Sequence, residues 1–229
     1  MPWLGFFDKA SRADTFVLLD HVQYRHRYFQ NRNRIYGPTG AQWLTVPVVV
    51  KGRYTQRFDE VMIDRAGSPR WADTCWKRLS HAYSRAPYFA AHHDFFERLF
   101  HAPWPRLVDL NIALIEHLLA AFALDARIVR SSDLAAGRQK GELMLELCER
   151  LGATTYLSGV SGVDYLDTAR FERAGINVVF QSFHHPVYRQ VSQPFIPCLS
   201  AVDLLFTHGP AAVPILRGIG VEVMDQVFT

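Results

Sequence analysis

Thr154-Thr-Tyr-Leu-Ser-Gly-Val-Ser-Gly162, continuing through Val163-Asp-Tyr-Leu-Asp-Thr-Ala-Arg-Phe-Glu-Arg-Ala-Gly175 to Asn177-Val-Val-Phe-Gln-Ser182, decides the fold. Thr154–Ser158 is a short β-branched and aromatic run that ends in a glycine-punctuated loop. A helix is expected from about Asp164 to Ala174, Gly175 stops it, and Asn177–Ser182 reads as the next strand. Strand, short loop, helix and strand in this order call for parallel strands joined by a right-handed crossover.

The same alternation extends upstream. Ala126-Arg-Ile-Val-Arg130 reads as a strand ending in Ser131-Ser132. Lys140–Leu151 reads as an amphipathic helix, with Leu143, Met144, Leu147, Cys148 and Leu151 opposite Glu142, Glu146, Glu149 and Arg150, and Gly152 as its stop. Near the start, Phe6, Phe7 and Ala10 have helical spacing and Thr15–Leu19 reads as a strand. The expected fold is therefore α/β: one domain over residues 1–229 with a Rossmann-like parallel sheet flanked by helices.

Two excursions interrupt that sheet. Gly37-Pro-Thr-Gly40 is turn chemistry, so Arg34–Val50 is expected as a hairpin, with Gln42–Val50 one strand and Pro47 at an edge or bulge. Glu60–Ile63 would add a third short strand. A mainly helical insertion spans about 68–123. Ser68-Pro69 reads as N-cap and first helical position ahead of Trp71, Cys75, Leu79 and Tyr83. A second helix holds Phe89, Phe95, Phe96, Leu99 and Phe100, and an apolar third runs from Arg106 to Ala123. Beyond Leu199 a helix and a shorter one near Val213–Leu216 close the chain.

The formal charge of +3 over 229 residues is too small to argue for nucleic acid by itself. Its distribution is more telling. From His21 to Phe58 there is no Asp or Glu, while Arg25, Arg27, Arg32, Arg34, Lys51, Arg53 and Arg57 lie there among Tyr24, Tyr28 and Phe29 and the amides Gln23, Gln30, Asn31 and Asn33. Guanidinium forks bind phosphate or carboxylate in pairs, and amides fix geometry, so the segment suits a small anionic ligand better than a nucleic acid. A solvated basic loop is the competing reading. Three widely spaced cysteines, Cys75, Cys148 and Cys198, form neither a disulfide framework nor a zinc pattern, which fits a reducing cytoplasm. No apolar run is long enough for membrane insertion, and the N-terminus lacks a signal-peptide pattern.

In open parallel sheets ligands bind beyond the carboxyl ends of the strands. Those ends supply Asp20 with Gln23 and Tyr24, then Ser132, then Ser158-Gly159-x-x-Gly162 with Tyr165, and finally His185. All four are polar and are expected to converge. Asp20 and His185 are the candidate proton carriers. Ser158, Gly159 and Gly162 are candidates for an anion cradle, although Ser161 can equally cap a helix with Asp164. No carboxylate stands at metal-ligand spacing from His184-His185, so no metal is expected, and no cofactor or oligomeric state is assigned. Asp203 reads as a capping-box carboxylate.

With these motifs assembled, the chain resembles the WbqC-like family. The matching stretches are Pro2-Trp-Leu-Gly-Phe-Phe-Asp-Lys9, Asp14-x-Phe-Val-x-Leu-Asp20, Val22-Gln-Tyr24, Gln30-Asn-Arg-Asn-Arg34, Trp43-Leu-Thr-Val-Pro47, Tyr156-Leu-Ser-Gly159, Tyr165-Leu-Asp167, His185-Pro-x-Tyr188 with Gln190, and Phe195-Ile-Pro197 onward to Gly209. The resemblance implies a role in bacterial O-antigen or other surface-polysaccharide biosynthesis. That role is a transferase moving glycine or another acyl group to a nucleotide-linked amino sugar. Arg27, Arg32 and Arg34 would hold phosphate, with Tyr188 and Gln190 in the same site. Alternatives are a nucleotidylyltransferase-like enzyme and a non-catalytic nucleotide-sugar or nucleic-acid binder. Family members begin with a short strand and a His-Gln-Pro element ahead of the Leu-Pro-Trp that this chain enters at Met1-Pro2-Trp3, and a second Asp is common where His21 stands. Without that strand, the sheet is expected to carry an unfilled slot or an exposed edge.

Overall fold

The computed structural model describes residues 1–138 and 140–224. The helices are α1 (Leu4–Ala10), α2 (Trp71–Tyr83), α3 (Phe89–His101), α4 (Leu107–Ala121), α5 (Lys140–Arg150), α6 (Thr168–Arg173), α7 (Val202–His208) and α8 (Ala212–Leu216). The strands are β1 (Thr15–Leu18), β2 (Arg32–Gly37), β3 (Gly40–Thr45), β4 (Arg127–Arg130), β5 (Thr155–Ser158), β6 (Asn177–Phe180), β7 (His185–Pro186) and β8 (Val223–Met224).

The chain is mixed α/β, with small parallel and antiparallel sheets. β1 pairs in parallel with β4, Thr15 opposite Arg127 through Leu18 opposite Arg130. β5 pairs in parallel with β6, Thr155 opposite Asn177 through Ser158 opposite Phe180. Among the described residues no ladder joins the two pairs. A cavity of about 450 Å³ separates them, lined by Phe16 and Val17 of β1 on one side and by Tyr156 and Leu157 of β5 on the other. In place of one continuous Rossmann-like sheet there are two parallel pairs. Paired strands lie roughly 4.8 Å apart, and β1 and β5 are kept from that approach.

The expected hairpin is β2 with β3, antiparallel, closing at Gly37 opposite Gly40. Its second strand ends at Thr45 rather than Val50. Val46 donates to Asn31 O, and Pro47, which has no N–H, carries the chain off the ladder. Glu60–Ile63 is reduced to isolated antiparallel bridges, Ile63 to Val48 and Met62 to Arg106, after Phe58–Glu60 forms a 3₁₀ turn in which the Glu60 carboxylate accepts the Arg57 N–H at 2.8 Å. Helix α2 begins at Trp71, three residues after Ser68, whose carbonyl rather than its hydroxyl receives the Trp71 N–H. Val160–Asp164 is likewise a 3₁₀ turn, so α6 starts at Thr168.

The main core unites α1, the hairpin, the helical segment α2–α4 and α7–α8. Helix α4 contributes Leu107, Leu110, Leu114 and Leu118, all essentially without exposure, as its nearly all-apolar sequence requires. Each such leucine stabilises the fold by about 1.5–3 kcal/mol relative to exposure. A second, smaller core holds Leu145, Cys148, Phe171 and Ile176 and belongs to α5, α6, β5 and β6. The Gln181 amide, just past β6, reaches across to Gly5 O of α1 at 2.9 Å and to Asp8 Oδ2 at 2.6 Å.

Candidate functional site

The parallel register of β1 and β4 places Leu18 opposite Arg130, so two residues on, Asp20 lies beside Ser132. Asp20 is fully buried. Its Oδ1 accepts from Ser132 N at 2.8 Å and Ser131 Oγ at 3.1 Å, and its Oδ2 from Arg130 Nε at 2.6 Å and Ser132 Oγ at 2.8 Å. Burial works against the charge, but the hydrogen bonds from Ser132, Arg130 and Ser131 outweigh it and hold the carboxyl below the usual carboxylate range. His21 Nδ1 lies 2.6 Å from Ser131 Oγ. The carboxylate is saturated, which suits it to hold the 130–132 turn rather than to accept a further proton. The strand-end rule points to Asp20 and Ser132. It reaches Ser131 as well, which follows the same strand, but misses Arg130, the last residue of β4.

The basic segment forms a separate group. Gln23 Nε2 donates to Tyr54 O at 3.0 Å. Tyr24 is buried and stacks on Phe58. Arg27 is exposed, has φ +60, and its carbonyl accepts Arg32 Nη2 at 2.5 Å. Gln30 accepts the Arg25 N–H, and its carbonyl receives Asn111 Nδ2 at 2.8 Å. Asn31 donates to Val46 O, and Asn33 donates to Met1 O while receiving the Arg34 N–H. Tyr24 Oη, Asn31 Oδ1, Arg32 Nε and Arg34 Nε are buried without a protein partner. Among the described residues none of Arg25, Arg27, Arg32 and Arg34 forms an ion pair, unlike Arg57, which holds Asp59. Asn31, Arg32 and Asn33 line a small cavity of about 20 Å³ together with Met1 and Asn111.

At the end of β5 the glycines have unequal roles. A methyl group on Gly162 would lie 2.0 Å from Ser158 Oγ and 3.1 Å from Ser158 Cβ, whereas one on Gly159 would meet nothing within 4 Å. The Gly162 N–H is already bonded to Gly159 O, and Ser158 Oγ donates to the same carbonyl. Gly162 therefore serves the close approach of the turn to the buried Ser158. Tyr165 stands 54% exposed beyond it.

His185 has no exposed surface. Its Nε2 accepts the Cys198 N–H at 3.2 Å, its Nδ1 lies 2.8 Å from Pro186 O, and burial lowers its basicity. Beside it is a buried network that the sequence misread. Asp203 caps no helix; its carboxylate receives Tyr83 Oη, Tyr188 Oη and Gln190 Nε2, each at 2.9 Å. Burial pushes Asp203 up to about 6, despite those three donors. Gln190 also clasps Ile196 through both its amide atoms. No single signal marks this network, since Tyr83 and Asp203 lie 120 residues apart.

The sequence candidates thus occupy four groups, two of which meet. Cys198 donates its N–H to His185 and presents its carbonyl to Arg34 Nη2 at 3.5 Å, so the arginine segment and the histidine share one neighbour. The third cavity, about 520 Å³, is a surface depression walled by the ion pairs Arg138–Glu149 and Arg170–Glu142. None of the three cavities brings Asp20, Arg32, Ser158 and His185 together.

No solved structure matches the chain. Rv1507c from Mycobacterium tuberculosis, a protein of uncharacterized function, is 35% identical over 219 residues, which cover 95% of this chain and 94% of that one. The WbqC-like protein family matches residues 1–215. With a match of that extent and a relative of that identity, the chain belongs to the WbqC-like protein family.

Proposed function

We propose that this protein binds a nucleotide-linked amino sugar and transfers glycine or another acyl group to it during assembly of bacterial surface polysaccharide. The observation that carries the ligand class is the row of cations without acidic partners: Arg27, Arg32 and Arg34, with Arg32 Nε and Arg34 Nε buried and unmatched. A nucleotide sugar brings about two negative charges, which guanidinium pairs suit. The polysaccharide setting rests on family membership.

Thermal-shift titration with UDP- and dTDP-amino sugars tests the ligand class. A rise in melting temperature is expected for the native protein and its loss in an Arg32→Ala/Arg34→Ala variant. No shift with any nucleotide sugar sinks the reading.

A second reading, ligand binding without chemistry, is favoured by one observation. Asp20 and His185, the candidate proton carriers, are both buried with their polar atoms engaged. Mass spectrometry of the sugar after incubation with protein and an activated glycine donor separates the two. A mass gain supports transfer; tight binding with an unchanged sugar supports the second reading.

A further inference from the structure

Antiparallel contacts tie residues 22–24 to 56–58: Gln23 bridges Arg57, Tyr24 N donates to Gln56 O, and Phe58 N donates to Val22 O. The residues just after Tyr24 and those just before Gln56 therefore leave that pairing at the same end. Both segments, Arg25–Phe29 and Lys51–Thr55, are exposed throughout. They carry Tyr28 and Phe29, each 51% exposed, and Tyr54, 79% exposed. Trp43, 39% exposed on β3, extends the patch, with ring centroids 5.4 Å apart from Tyr28 to Phe29 and 5.8 Å from Phe29 to Trp43.

Cations are interleaved with these rings. The Arg25 guanidinium lies 5.6 Å from the Tyr28 centroid, and that of Arg32 lies 4.4 Å from Trp43. Arg25, Arg27, Lys51 and Arg53 add charge with no Asp or Glu between His21 and Phe58 to offset it. Exposed aromatics with uncompensated arginines suit two anionic surfaces, a single-stranded nucleic acid and an anionic lipid headgroup layer. Base stacking needs open, roughly parallel ring faces. Here Tyr28 and Phe29 are inclined by 77° and Phe29 and Trp43 by 42°, while guanidinium groups cover Tyr28 and Trp43. Rings at mixed angles beside cations match a headgroup interface, where apolar edges embed and charges meet phosphate.

We propose that the ridge formed by Arg25–Phe29, Trp43 and Lys51–Tyr54 docks this protein on the surface of a bilayer containing anionic lipids. The docking is peripheral: among the described residues no helix is long and apolar enough to cross a membrane. The ridge shares Arg27 with the ligand proposed above, so the test leaves Arg27 in place and substitutes only residues not assigned to that ligand.

The test is co-sedimentation with phosphatidylcholine vesicles and with vesicles that also contain phosphatidylglycerol. Binding to the anionic vesicles alone, released at high salt, is expected. Arg25→Gln/Lys51→Gln/Arg53→Gln should weaken it by on the order of tenfold or more. Phe29→Ala/Tyr54→Ala should weaken it with the salt dependence kept. Circular dichroism establishes that both variants are folded. Failure to bind anionic vesicles, or undiminished binding by the folded variants, overturns the proposal. Binding of an oligothymidylate without binding of vesicles also overturns it and assigns the ridge to nucleic acid.

Discussion

The Asp20 carboxylate and the Arg130 guanidinium lie 2.6 Å apart where β1 and β4 end side by side, the acid buried and the base partly exposed. Asp20→Ala leaves a charge and three further donors without an acceptor. The expected loss is about 3–5 kcal/mol in urea unfolding, with Asp20→Asn losing less because it keeps the shape. The folded carboxyl lies below its ordinary 3.8, so its contribution is complete above that pH and is lost as pH falls through the folded value. Acid unfolding of Asp20→Asn should therefore lack this part of the native slope.

Gly162 and Gly159 should respond oppositely to alanine. At Gly162 the added carbon meets the buried Ser158, and a loss of about 1–3 kcal/mol is expected from overpacking. At Gly159 the carbon enters open space on an extended backbone of φ −70, and the change should stay within about 0.5 kcal/mol. Equal effects at both positions would contradict the packing role given to Gly162.

Asp203 and His117 should give acid stability opposite slopes. Asp203 rises from 3.8 to about 6 on folding, so the folded state holds a proton that the unfolded state lacks, and stability grows as pH drops from above 6 toward 3.8. His117 is lowered from 6.5 to about 4 by burial and by neighbouring His92, so its contribution is present above 6.5 and is lost as pH falls toward 4. Melting temperatures from pH 4 to 6.5 should fall more steeply on acidification for Asp203→Asn than for the native chain. His117→Asn should flatten the fall.

Much of the architecture was legible because local signals agreed with their surroundings. Gly152 and Gly175, at φ +64 and +73, end α5 and α6 as their positions after apolar periodic runs predict. Tyr83 and Leu79 are buried as their i, i+4 spacing requires. Local preferences give way where a nearby backbone group or a distant side chain makes the competing contact. Ser68 looks like a cap, yet its hydroxyl does not close α2. Asp203 looks like a capping carboxylate, yet Tyr83, Tyr188 and Gln190 claim both its oxygens. The strand-end rule found Asp20 and Ser132 together, since register alone brings them near. It did not foresee that His185 would be enclosed, because Cys198 and the Tyr188 ring reach it from outside its own strand.

The break between β1 and β5 should divide the molecule's cooperativity. Hydrogen bonds of a shared sheet normally oblige neighbouring strands to open together. Here the α5–β5–α6–β6 unit has a small core of its own and faces the larger body across a cavity, with Gln181 as one hydrogen-bonded tie. Its amides are then set to exchange with solvent through a local opening of lower free energy than global unfolding. Native-state hydrogen exchange that finds these amides as well protected as those of α4 would contradict a smaller unit that loosens on its own.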